Sequence, residues 1–219
     1  MAEELQSQAM QIKERRGAER ALLMVDLFAT PLRAAERAAE VVSNTLSKNV
    51  DRDAKETVFM QEGEAAARAI REDAKARYLE SELLEQSELT ALAEHLEEFL
   101  APDSATVADI ASASMLGEEQ LITAADSVAA MPGSLDLLKT FLAVARQKDY
   151  AGAVHHIASL EPGGEIEMAL VDLDICSESI EKSEKDIESQ FWTYAKDGPD
   201  GPAILAAAQD DLNLMSLLR

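Results

Sequence analysis

Aromatic residues are scarce in this chain. Phe, Trp and Tyr together make up 4% of 219 residues, while apolar residues of all kinds reach 47%. The core must therefore be built from Ala, Leu and other aliphatic side chains. Ala and Leu, like the abundant Glu, lose little side-chain entropy in a helix, whereas strands favour aromatic and β-branched residues. The expected fold is all-α. Cysteine is also nearly missing: Cys176 stands alone, which rules out an internal disulfide. Its place beside an apolar seam reads as a small buried hydrophobe.

Long apolar runs are missing too. The run Ala21 to Val25 is the longest near the N-terminus, against the roughly 18 residues a membrane span needs. The opening Met1-Ala2-Glu3-Glu4-Leu5 lacks the apolar core of a signal peptide. The expected location is the cytoplasm, with no membrane partner.

Basic charge is scarce in the C-terminal part of the chain. Residues 1–80 hold 13 Lys/Arg against 15 Asp/Glu, residues 81–219 hold 7 against 27, and none lies between Arg77 and Lys139. A net charge of −22 repels phosphate backbones and anionic lipid and attracts cationic surfaces. Direct nucleic-acid binding is not expected; a basic protein partner is.

Apolar periodicity supplies the helices. Ala21, Val25, Phe28, Leu32, Ala35, Ala39, Val42 and Leu46 alternate steps of four and three, a heptad seam. Pro31 interrupts it. The reading favoured here is a break, with Thr30 as N-cap and Pro31 at the first helical position, where its missing N–H is not needed; a kink is the alternative. A second helix is expected from about Arg52 to Gln86, with Phe59, Ala66, Ile70, Ala74 and Tyr78 on one face. The two segments suit an antiparallel hairpin, and residues 1–86 are taken as a coiled-coil-like region. Residues 87–219 are taken as an acidic multi-helix bundle. Its helices begin at Ser87, after Pro102-Asp103-Ser104, at Glu118, at Ser134 and at Ala151. A long one runs over 165–196, and the last follows Pro202. The apolar end Leu212, Leu214, Met215, Leu217, Leu218 is expected to dock on the bundle or on a partner.

Reactive groups in recognisable patterns are few. His155 and His156 are adjacent, so on a helix they point about 100° apart and do not form a two-ligand metal site, which needs three- or four-residue spacing. Asp197 to Asp200 begins like a calcium loop, but Pro199, Pro202 and the missing distal Glu depart from that pattern. There is no phosphate-cradling glycine loop and no nucleophile elbow. No catalytic residue, metal or cofactor is expected. The stretch His155-His156-Ile157-Ala158-Ser159 resembles the acceptor helix of histidine phosphotransfer bundles, and that resemblance implies His155 or His156 as phospho-acceptor. It departs from the pattern at Ala158, where a basic residue normally stands.

The main expectation is a non-enzymatic helical interaction protein: an adaptor, scaffold, chaperone or assembly factor. It would contact a protein partner, and self-associate through its N-terminal helices. The candidate interface residues are Val25, Phe28, Leu32, Val42 and Leu46 on the seam, Trp192 and Tyr194 in the one aromatic cluster, and Leu214 and Leu218 at the end. The alternatives are a phosphotransfer-like module and an acidic nucleic-acid mimic.

Overall fold

A computed structural model describes residues 7–46, 50–103, 107–180, 182–195 and 201–211. Of these, 85% are helical, which leaves the chain all-α, with ten helices and no strand among the described residues. In order they are α1 (Gln8–Phe28), α2 (Thr30–Thr45), α3 (Arg52–Leu100), α4 (Val107–Ala113), α5 (Glu118–Ala129), α6 (Leu135–Gln147), α7 (Ala151–Ser159), α8 (Glu165–Ile180), α9 (Glu184–Tyr194) and α10 (Gly201–Asp210). They group into two compact units. One takes in the described residues of 1–13 and 86–181, the other those of 14–85 and 182–219.

The unit containing residues 86–180 is built on Leu121, Leu138, Leu142, Ile157, Ile166 and Leu173, with Leu100 from the end of α3. A smaller cluster joins Ala9, Leu89, Leu92 and Cys176. Burial, with help from the Asp172 carboxylate, pushes the Cys176 thiol up, against the opposing pull of Lys13. Asp172 is itself buried, and it is satisfied by the start of α1. It accepts a hydrogen bond from the Ser7 hydroxyl and another, at 3.2 Å, from the Gln8 backbone N–H. A carboxylate there meets the unpaired N–H groups and positive end of the helix.

The turn from α6 to α7 is tight. Asp149 has φ +55°, the left-handed region that Asp tolerates better than most residues. The Tyr150 N–H returns to the Ala145 carbonyl at 2.9 Å, closing the helix end. The Lys148 ammonium donates to the Ser114 and Leu116 carbonyls at 2.6 and 3.1 Å. It thereby caps the turns that follow α4.

In the other unit, Ala34, Ala35, Ala38, Ala39 and Val42 of α2 pack with Phe59 and Ala67 of α3 and with Ile204 and Ala208 of α10. A second cluster joins Leu23 of α1 to Ala74 and Tyr78 of α3 and to Ile187 and Phe191 of α9. Arg20 of α1 reaches Glu82 at 3.0 Å and Glu85 at 2.7 Å.

Several element boundaries differ from the sequence reading. No break occurs at Ser87: α3 runs through it, because nothing there obstructs a helix. Thr90 bonds back to the Gln86 carbonyl at 2.7 Å instead. The segment 165–196 is two helices rather than one. Ser183 is extended at φ −75° and ψ 155° and caps α9 in a box with Asp186. Ser134 precedes α6 but makes no side-chain cap; its hydroxyl turns to the Ala129 carbonyl. At Pro31 the interruption is a single residue. Ala29, not Thr30, is the N-cap, with near-helical torsions of −84° and 0°. The Ala29 N–H returns to the Asp26 carbonyl at 3.2 Å and the Arg33 N–H to the Ala29 carbonyl at 3.1 Å, so hydrogen bonds of the helical kind flank the interruption on both sides.

Candidate interaction surfaces

The α6–α7–α8 unit carries an open groove of about 620 Å³. Its floor is apolar: Ala151, Val154 and Ala158 of α7 with Leu170 and Val171 of α8. Val171 is 47% exposed, unusual for a valine on a core-facing helix. Asp149, Glu167, Asp174, His155 and Arg146 form the polar rim. Three carboxylates thus face one guanidinium, and that guanidinium is already held. Arg146 donates to both Glu97 oxygens, at 2.8 and 2.6 Å, a bidentate pairing. The hydrogen bonds from Arg146 hold the Glu97 carboxyl below its usual range, against a smaller opposing effect of burial. The field left over the groove is negative.

Asp172 and Asp174 point in different directions, as two-residue spacing on a helix requires. Asp172 serves the start of α1, while Asp174 lines the groove. The histidines also diverge. His155 is exposed on the groove. His156 places Nε2 2.8 Å from Asp126 Oδ1. Among the described residues no three His, Cys, Asp or Glu side chains gather where they could hold a metal ion. Cys176 packs in its own cluster and does not line the groove.

The N-terminal seam divides at Ala29. In α2, Ala35, Ala39 and Val42 are buried and Leu46 is half-buried. In α1 the core-facing residues are Leu23, Met24 and Leu27. Val25 is 63% exposed, Phe28 85% and Leu32 at the start of α2 41%; beside them Leu22 is 69% exposed. The candidate interface residues therefore separate into Val42 and Leu46, used inside the unit, and Val25, Phe28 and Leu32, left uncovered.

Trp192 is half-buried and has partners within its unit. Its ring meets Phe191 edge-on at 5.1 Å, and Arg71 and Lys75 lie over it at 5.3 and 5.6 Å. Lys75 also pairs with Glu188 at 2.5 Å, which raises the lysine's pKa and lowers the carboxylate's. Tyr194 ends α9; its side chain, like the whole of Leu214 and Leu218, lies outside what the structure describes.

Two features escaped the sequence reading. The groove depends on which face of α8 the core leaves free, and periodicity alone does not decide that. The Arg20 pairing joins residues more than sixty positions apart and has no local signature. Among the described residues no helix is long and apolar enough to cross a membrane. No protein-family model, no curated protein and no solved structure matches the chain.

Proposed function

We infer that the protein is a non-enzymatic helical interaction protein whose α7–α8 groove accepts a cationic amphipathic segment of a protein partner. The carrying observation is the combination of an uncovered apolar floor with a rim of carboxylates. Apolar anchors gain from leaving water, while Lys or Arg flanking them meet Asp149, Glu167 and Asp174. The helix-in-groove mode has this chemistry: anchors at i, i+3 or i+4 and i+7, and charges outside them. Adaptor, scaffold, chaperone and assembly roles all use such a surface; the cytoplasm is the proposed setting.

The same groove argues against phosphoryl transfer at the histidines. A phosphate on His155 would face Glu167 and Asp174, and one on His156 would displace Asp126. The one nearby guanidinium is committed to Glu97.

The test is titration of the full chain into a labelled helical peptide with leucines at i, i+4 and i+7 and lysines on both flanks. Binding should weaken as salt rises, because the exposed charges are screened. It should be lost in Val171→Arg, which removes an anchor contact and reverses the local field. Binding unchanged in that variant, or none at low salt, would overturn the proposal.

A further inference from the structure

We propose that the chain pairs antiparallel with a second copy of itself along Leu22, Val25, Phe28 and Leu32. These four fall at steps of three and four, so they share one stripe across the α1–α2 junction. All are well exposed, and Phe28 most of all. Scattered apolar residues on a surface are ordinary, but a contiguous stripe with a large aromatic at its centre marks an interaction site. The opposite side of the same helices, Leu23 and Leu27 in α1 and Ala34 and Ala38 in α2, is occupied by the unit's own core.

Charge identifies the occupant. Arg15, Glu19, Asp26, Arg33, Arg37 and Glu40 run along one edge of the stripe, so the row reads basic, acidic, acidic, basic, basic, acidic. An antiparallel copy presents the same row reversed, so acid meets base at both ends. In a parallel pair the matching edges of the two copies lie on opposite sides of the seam, so this row would not meet itself and its self-complementarity would go unused. A foreign helix of either charge would complement only half of the row. With the two-fold axis between Phe28 and Ala29, Val25 lies opposite Leu32 of the second copy, and Phe28 lies opposite the small Ala29. In that register Asp26 and Glu19 come within a turn of Arg33 and Arg37 of the second copy. Asp26 and Arg33 already pair within one chain at 2.9 Å, so the dimer would join two such pairs into a four-charge network.

Sedimentation of the full chain over a dilution series tests this. The mass should double with concentration. Phe28→Asp should keep its helicity by circular dichroism and weaken the dimer by at least about tenfold. Asp26→Arg should also weaken it, and adding Arg33→Asp should restore it. Mixed Val25→Cys and Leu32→Cys chains should cross-link to each other faster than either does to itself. A monomer at every concentration overturns the proposal. So does a dimer indifferent to Phe28→Asp, or faster cross-linking of Val25→Cys to itself. A monomer in which Phe28→Asp lowers thermal stability would instead assign the stripe to the chain's own C-terminal residues 212–219. Peptide binding in the α7–α8 groove should be unaffected by Phe28→Asp, which separates failure here from failure of the groove reading.

Discussion

Gly63 of α3 lies directly under Ile204 of α10: a Cβ added at Gly63 would stand 2.9 Å from Ile204 Cγ2 and 3.7 Å from the Ala38 Cβ. Glycine inside a helix costs about 1 kcal/mol relative to alanine. Here the missing side chain is what lets α10 approach α2 and α3. Gly63→Leu should lose about 1–3 kcal/mol through overpacking, and should expose α10 to limited proteolysis. A variant as stable as the parent chain, with α10 still protected, would show that this contact is not needed.

Arg20 is mostly buried between Glu82 and Glu85, and both glutamates are buried. Removing the cation leaves two carboxylates with little water and no counter-charge. Arg20→Met should destabilise by on the order of 3 kcal/mol in urea unfolding. The triple variant with Glu82→Leu and Glu85→Leu should recover most of that loss, because an apolar replacement removes the stranded charges too.

Glu97 is held below its ordinary value of 4.5 by the hydrogen bonds from Arg146. A carboxylate whose pKa is depressed on folding stabilises the fold fully above its unfolded value, and that contribution is lost as pH falls through the folded one. The gap in melting temperature between the parent and Glu97→Gln should therefore be constant near neutrality. It should shrink below about pH 4.5. A gap that widens on acidification would contradict the pairing.

Ser183 begins α9. Its hydroxyl accepts from the Asp186 N–H at 3.3 Å, and its own N–H donates to the Asp186 carboxylate at 3.3 Å. Ser183→Ala should cost about 1 kcal/mol, read by chemical denaturation. Asp186→Asn should cost part of that, since the amide keeps an acceptor without the charge. No change in either variant would mean that α9 is fixed by Ile187 and Phe191 packing alone.

Much of this fold was legible because apolar spacing and turn residues report on neighbours close in sequence. Phe59, Ala74 and Tyr78 were placed on one face and are buried there. Met131-Pro132-Gly133 and Glu161-Pro162-Gly163-Gly164 end helices as their composition requires. The misreadings were also local. The single helix expected over 165–196 is divided at Ser183, where a Ser-x-x-Asp cap signal outweighs the apolar spacing. At Ser87 the reverse happened: a residue favoured at caps lies inside a continuous helix. What spacing could not decide was which of two adjacent stripes faces inward. Ala21, Val25 and Phe28 have the same period as Leu23 and Leu27, and only the packing of α3 and α9 selects the second set. The groove rim was illegible for a related reason. Asp149, Glu167 and Asp174 are unremarkable among 42 acidic residues until α7 and α8 bring them to one opening.

Backbone amide NMR of the full chain, titrated with the lysine-flanked amphipathic peptide, tests the central claim most directly. Shift changes should concentrate on Ala151–Ala158 and on the Glu167–Asp174 face of α8, and should diminish with salt. Changes confined to the α1–α2 stripe or spread evenly over the acidic surface, or no change at low salt, would contradict it.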